Sequence, residues 1–226
     1  MFNSAVIYYF PGSPRYQLVN TLVEHCGLSD KITFKDINKC KPEFVKLFPE
    51  QKIPAFYEKE DDFKLTEVIA ISYYLLSLGQ DNQKENVLAG VKNKDKATIL
   101  RWMSFFNQEF MKSATAIFYA LQREDADEDE TDVIAENYER LSEVLIPEVE
   151  EQLKKKNNFL SYLDHITLCD IFGALVFSLM FQAYLGKEWR SAHPAIMKWY
   201  NTVLNSEYLK GSYSPELLEK DAFFVK

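Results

Sequence analysis

Cysteine is scarce. The chain of 226 residues has three, Cys26, Cys40 and Cys169. An odd number with no close spacing excludes a disulfide framework, and the lack of a Cys-x-x-Cys pair excludes dithiol exchange. Histidine is equally sparse and scattered, at His25, His165 and His193, so no metal-ligand spacing arises and no metal is expected. Seven glycines and eight prolines are few, which points to long helices rather than many turns. Positive charge is in deficit: 26 Lys and Arg stand against 34 Asp and Glu, a net charge of −8. A basic footprint for nucleic acid or an anionic membrane surface is therefore missing. Long apolar runs are missing too. The most apolar stretch, Ile171 to Met180, is too short to span a bilayer and follows Asp170, so it reads as a buried core helix. The N-terminus opens on a strand-like run, and no signal peptide is expected. Unpaired cysteines and no leader together imply a reducing, cytoplasmic location.

What is present is core material, 47% hydrophobic and 15% aromatic, enough for one large or two small domains. Ala5 to Phe10 is β-branched and aromatic, a strand signal. Pro11-Gly12-Ser13-Pro14 is a turn, with Ser13 placed as a helix N-cap and Pro14 as the first helical residue. Leu18, Val19, Leu22 and Val23 form a helical stripe, which Gly27 ends. Ile32 and Phe34 mark a second strand, so a right-handed parallel βαβ unit follows. Pro42 to Phe48 reads as a short helix. Ile53 to Tyr57 and Phe63 to Leu65 read as an antiparallel hairpin around the charged turn Glu58 to Asp62. Thr66 then caps a helix bearing Val68, Ile71, Leu75 and Leu78, with Gly79 as its stop.

This order, βαβ then a short helix, ββ and α, predicts a thioredoxin-like domain over residues 1–79. A polar stretch over 80–94 reads as a linker, and residues 95–226 as an all-helical domain. Within that half, Asp95 to Gln122 and Thr131 to Lys155 read as long helices and Glu124 to Asp132 as a solvated acidic loop. Thr167-Leu168-Cys169-Asp170 is a capping box, with Ile166 and Ile171 as its hydrophobic staple. Pro194 opens the last helix.

An α/β thioredoxin-like half followed by an all-α half resembles the glutathione transferase fold and its cytosolic superfamily. Within it, the chain is similar to the transferase-like domain of fungal elongation factor 1 gamma subunits. The residues that carry this are Leu65-Thr66-Glu67, Ala70-Ile71 and Tyr73-Tyr74-Leu75, then Ile99-Leu100-Arg101-Trp102. They continue with Glu188-Trp189-Arg190, His193-Pro194-Ala195-Ile196 and Trp199 to Val203. Those subunits carry a further C-terminal domain, which is expected to be absent from this chain.

The resemblance implies glutathione as co-substrate, a homodimer, and either conjugation to small electrophiles or association with translation elongation factor subunits. Conjugation needs a thiolate near neutral pH, whereas a free thiol has a pKa of about 8.5. A hydroxyl donor near a helix N-terminus stabilises the anion. The loop from Tyr9 to Arg15 resembles both the serine and the tyrosine types of transferase loop. Ser13 maps to the serine, with Tyr9 as the alternative and Arg15 nearby. A plain N-cap for Ser13 and a core strand residue for Tyr9 are the structural alternatives. The resemblance further implies that Ile53 and a cis Pro54 clamp the cysteinyl part of glutathione through the backbone. Gln51 and Lys52 would meet the glycine carboxylate, and Glu67-Val68 the γ-glutamyl end. Val68 stands where the family usually has a serine, so its backbone N–H alone would remain there. Trp102, Phe105, Phe106 and Phe110 read either as core or as an apolar second-substrate wall.

Overall fold

The computed structural model describes residues 4–79, 87–123, 128–155 and 158–212. The chain divides into two compact units, Met1–Lys92 and Asn93–Lys226. Among the described residues no helix is long and apolar enough to cross a membrane.

The first unit contains β1 (Ala5–Tyr9), α1 (Pro14–His25), β2 (Ile32–Asp36), α2 (Ile37–Leu47), β3 (Ala55–Glu58), β4 (Phe63–Leu65) and α3 (Val68–Leu78). The sheet order is β2-β1-β3-β4. β1 runs parallel to β2 and antiparallel to β3, and β4 returns antiparallel to β3. This is the thioredoxin-like order expected from the sequence. Period-2 alternation along β1 sends consecutive tyrosines to opposite faces. Tyr8 enters the α2 side with Phe44, Phe48 and Ala55, whereas Tyr9 stacks on Tyr16 of α1 at 4.0 Å.

Several local readings are revised. Ahead of the short helix expected from Pro42, α2 has an additional turn from Ile37, with Asp36 capping it through Asn38 N–H at 2.9 Å. Cys40 leaves helical geometry (φ −137°), and the helix is kinked just before Pro42, whose ring and missing N–H disrupt a regular ladder. β3 begins at Ala55, two residues later than expected, because Pro54 has no N–H for the ladder. The N-cap of α3 is Glu67 rather than Thr66. Gly27 adopts the left-handed stop (φ 65°); Gly79 does not (φ −59°).

The second unit is helical: α4 (Asn93–Phe105), α5 (Met111–Leu121), α6 (Glu128–Arg140), α7 (Ile146–Leu153), α8 (Leu168–Ala183), α9 (Lys187–Ala192) and α10 (Pro194–Leu204). Single π-helical turns, Phe106–Phe110 and Leu141–Leu145, join α4 to α5 and α6 to α7. The expected acidic loop is helical from Glu128 onward; its first residues, 124–127, lie outside the described set, as does linker segment 80–86. Asn93 and Lys94 already belong to the first turn of α4.

α8 is the axis of this unit. Every residue from Leu168 to Ala183 except Gln182 is buried, and α4, α5 and α10 pack against it. The Thr167–Asp170 capping box forms at its start. The buried Asp170 carboxylate accepts four hydrogen bonds. Leu160 N–H (3.0 Å) and Trp199 Nε1–H (2.9 Å) reach one oxygen, and Thr167 N–H (3.0 Å) and Oγ1–H (2.8 Å) reach the other. One side chain thereby ties the preceding loop, the α8 cap and α10 together. Trp102, Phe106 and Phe110 are core residues, at most 3% exposed, and Phe106 and Phe110 pack on Phe177 of α8.

Candidate functional site

Strand register gathers four segments at one end of the sheet. Tyr8 pairs with Ala55, so the loop leaving β1 lies beside the peptide that enters β3. Leu65 pairs with Phe56, which brings Thr66, Glu67 and the start of α3 to the same end. Tyr9 pairs with Asp36, which adds the start of α2. Three helix N-termini therefore converge there, each with N–H groups that lack intrahelical acceptors and a partial positive charge.

Ser13 is the N-cap of α1, with extended backbone angles (φ −68°, ψ 128°). Its carbonyl accepts from Gln17 N–H at 3.0 Å. Its hydroxyl makes no capping hydrogen bond. Gly12 before it has φ 80°, the left-handed turn for which glycine is suited. Arg15, half-buried, sits in the first turn of α1. Tyr9 faces the α1 side, stacked on Tyr16 and edge-on to Phe34 at 6.0 Å.

The Ile53–Pro54 bond is cis, as the resemblance implied. Pro54 is buried, Ile53 packs beside Tyr8, and Gln51 and Lys52 are exposed. Gln51 (φ 54°) and Glu67 (φ 70°, ψ 117°) are non-glycine residues with positive φ. Such residues are uncommon and concentrate at ligand clamps, where the surrounding fold holds them against their own preference. Glu67 is exposed and its side chain makes no capping bond. Val68, by contrast, is 1% exposed. Its side chain belongs to the core, and what it presents at the helix start is its N–H.

One cluster was not legible in the sequence. The Tyr8 hydroxyl donates to Glu43 Oε1 at 2.6 Å, and Lys35 Nζ reaches the same carboxylate at 2.9 and 3.2 Å. Burial, then the bond to Glu43, pushes the Tyr8 pKa far up, so this hydroxyl stays protonated and committed to Glu43. Lys35, Glu43 and Tyr8 are separated by up to 35 positions. Only the parallel β1–β2 pair and the packing of α2 bring them together. Cys40 lies nearby, its thiol donating to Asp36 O at 3.2 Å. Burial raises its pKa, the wrong direction for a nucleophile. Cys26 and Cys169 are buried.

An α/β unit of this topology, with a cis proline entering its third strand and an all-helical unit after it, defines the glutathione transferase fold. The family model for the glutathione S-transferase N-terminal domain matches residues 4–77. An elongation factor 1 gamma homolog of Saccharomyces cerevisiae is 31% identical over 203 residues, covering 87% of this chain and 88% of that protein. The chain belongs to the glutathione transferase superfamily, in the branch that includes the transferase-like part of elongation factor 1-gamma. Elongation factor 1-gamma 1 of the same yeast is 33% identical over 202 residues; the match spans 85% of this chain but 45% of that protein. Glutathione S-transferase psoE of Aspergillus fumigatus is 33% identical over 163 residues, 72% of this chain and 64% of that protein. Among solved structures, the GST-like domain of elongation factor 1-gamma from Saccharomyces cerevisiae superposes with a TM-score of 0.72 at 27% identity. That superposition covers 97% of this chain and 96% of the other.

Proposed function

We propose that this chain binds glutathione at the gathered end of the sheet and conjugates it weakly to small electrophiles through a hydroxyl-stabilised thiolate. The observation that carries the reading is Ser13. Its hydroxyl sits at the positive end of α1 without a capping role, on the same sheet end as cis Pro54 and the strained Glu67. Ser13 donates to the glutathione sulfur, and Arg15 and the α1 dipole add positive potential. Tyr9 is the second choice, because its ring is engaged by Tyr16 and Phe34. Ile53 pairs with the cysteinyl backbone, Gln51 and Lys52 meet the glycine carboxylate, and Glu67 meets the γ-glutamyl ammonium. Val68 supplies a backbone N–H to the γ-glutamyl carboxylate. A homodimer in the cytoplasm is the setting this reading implies.

Calorimetric titration with glutathione tests binding: no heat at millimolar ligand would sink it. In Ser13→Ala, a lost hydrogen bond to a charged sulfur is worth roughly 1.5–3 kcal/mol, so the bound thiol pKa should rise by about 1–2 units. Thiolate absorbance reads this directly. An unchanged pKa and turnover would move the role to Tyr9 or to the helix dipole.

A second reading is a non-catalytic module associated with translation elongation factor subunits. It is favoured by relatives of 31% and 33% identity that are named for elongation factor 1 gamma. Affinity capture from cell extract that retained no translation factor would count against it.

A further inference from the structure

Arg101 and Trp102 are not used by the chemistry above. They lie on α4, which with α7 flanks an open cleft of about 490 Å³ on the helical unit. Thr98, Arg101 and Trp102 line it from α4, and Glu148, Glu151 and Gln152 from α7. Lys155, just beyond α7, and Tyr162 complete the wall. The volume falls in the range of small-molecule sites, about 300–1,000 Å³.

The wall holds two cations and two carboxylates in cross-linked pairs. Arg101 pairs with Glu148, and Lys155 with Glu151 at 3.1 Å. All four side chains remain 41–76% exposed, so these pairs are wet, individually weak and readily re-partnered. The Arg101 guanidinium lies over the Trp102 ring, 4.1 Å from its centroid, and 4.9 Å from that of Phe105. Attraction to the two ring faces helps hold the guanidinium in place. A guanidinium has five donors in a fork that matches a carboxylate, and Glu148 engages one terminal nitrogen. Tyr162 has φ 63°, a conformation a bulky side chain rarely adopts, and its ring is half exposed. The Lys155 ammonium stands 6.0 Å from that ring.

This charge pattern selects a ligand class. A simple anion drawn to Arg101 and Lys155 meets Glu148 and Glu151, and a simple cation meets the reverse. A molecule carrying both charges close together satisfies both sets. We infer that the cleft is a binding site for an α-amino-acid zwitterion with an apolar side chain. Its carboxylate sits on Arg101, its ammonium on Glu148 and Glu151, and its side chain against Tyr162. The site is independent of the glutathione reading, since it lies wholly in the helical unit and involves no thiol.

The test is a titration of the full chain, labelled with nitrogen-15, followed through the Trp102 indole N–H resonance. L-Phenylalanine should shift it saturably in the millimolar range. L-Phenylalaninamide, which lacks the carboxylate, and N-acetyl-L-phenylalanine, which lacks the ammonium, should each bind at least about tenfold more weakly, the loss of one charged hydrogen bond. Arg101→Gln and Lys155→Gln should each weaken L-phenylalanine, Arg101→Gln by about tenfold or more. The Trp199 resonance should stay in place as a check of the fold. No saturable shift with L-phenylalanine, equal binding of the three ligands, or an unaffected Arg101→Gln variant with its fold intact would overturn the assignment.

Discussion

Asp170→Ala is the sharpest structural perturbation available in this chain. The carboxylate is fully buried and receives Leu160 N–H, Thr167 N–H, Thr167 Oγ1–H and Trp199 Nε1–H. The Thr167 hydroxyl has a second neighbour, Cys169 Sγ at 3.3 Å, and can turn to it. Three fixed donors would lose their acceptor. Each buried unsatisfied donor costs about 1–3 kcal/mol, a gross sum of roughly 3–9 kcal/mol. Water entering the vacated space satisfies part of this, which moves the net cost toward the lower half of that range. That is a large share of a typical stability of about 5–15 kcal/mol. Asp170→Asn keeps one acceptor oxygen for Leu160 and Trp199 but points an amide NH₂ at the Thr167 N–H, so about half that loss is expected. Urea unfolding followed by far-ultraviolet circular dichroism and tryptophan emission is the assay. All three tryptophans, Trp102, Trp189 and Trp199, lie in the helical unit, so emission reports on the unit that Asp170 holds. An Asp170→Ala variant within about 1 kcal/mol of the parent would refute the argument that this carboxylate organises the unit.

Three further outcomes are expected. A Cβ at Gly173 would stand 2.8 Å from two ring atoms of Phe106 and 3.0 Å from Trp199. Gly173→Ala gains about 0.5–1 kcal/mol of helix propensity but overpacks a tight site at about 1–3 kcal/mol, so the melting temperature should fall. A rise would mean that the rings give way. The Tyr8 and Lys35 hydrogen bonds hold the Glu43 carboxyl below its ordinary 4.5. A depressed folded-state pKa adds stability that is present above the unfolded value and lost as pH falls through the folded one. Glu43→Gln should therefore lower the urea midpoint near neutral pH, and the gap should close as pH drops below 4.5; a gap independent of pH would contradict this. Val68→Ser should cost up to about 1.5–3 kcal/mol of lost burial and leave glutathione affinity unchanged, because the side chain faces the core. A gain of about tenfold in calorimetry would show that the side chain reaches the ligand.

Short-range chemistry made much of this protein legible in its sequence. The β-branched and aromatic run of β1, the stripe of α1, Gly27 at φ 65°, and Thr167 with Asp170 at a helix start act over a few residues, and each appears where it was expected. Their order was enough for the fold class, because few topologies connect βαβ, ββ and α without crossing. Boundaries were less legible where two local preferences compete. α3 starts one residue late, at a Glu67 held in positive φ against its own preference, and α6 runs into an acidic segment that reads as loop. Tertiary structure alone decided which polar groups meet. Tyr8 finds Glu43 across 35 positions, and Arg101 finds Glu148 across 47. It also decided that Val68 turns inward while the Ser13 hydroxyl is left without a capping role. The physical reason is range: caps, turns and periodicity are local energies written in neighbouring residues, whereas partners and burial depend on which surfaces the four-stranded sheet in one unit and the helices around α8 in the other bring into contact within each unit.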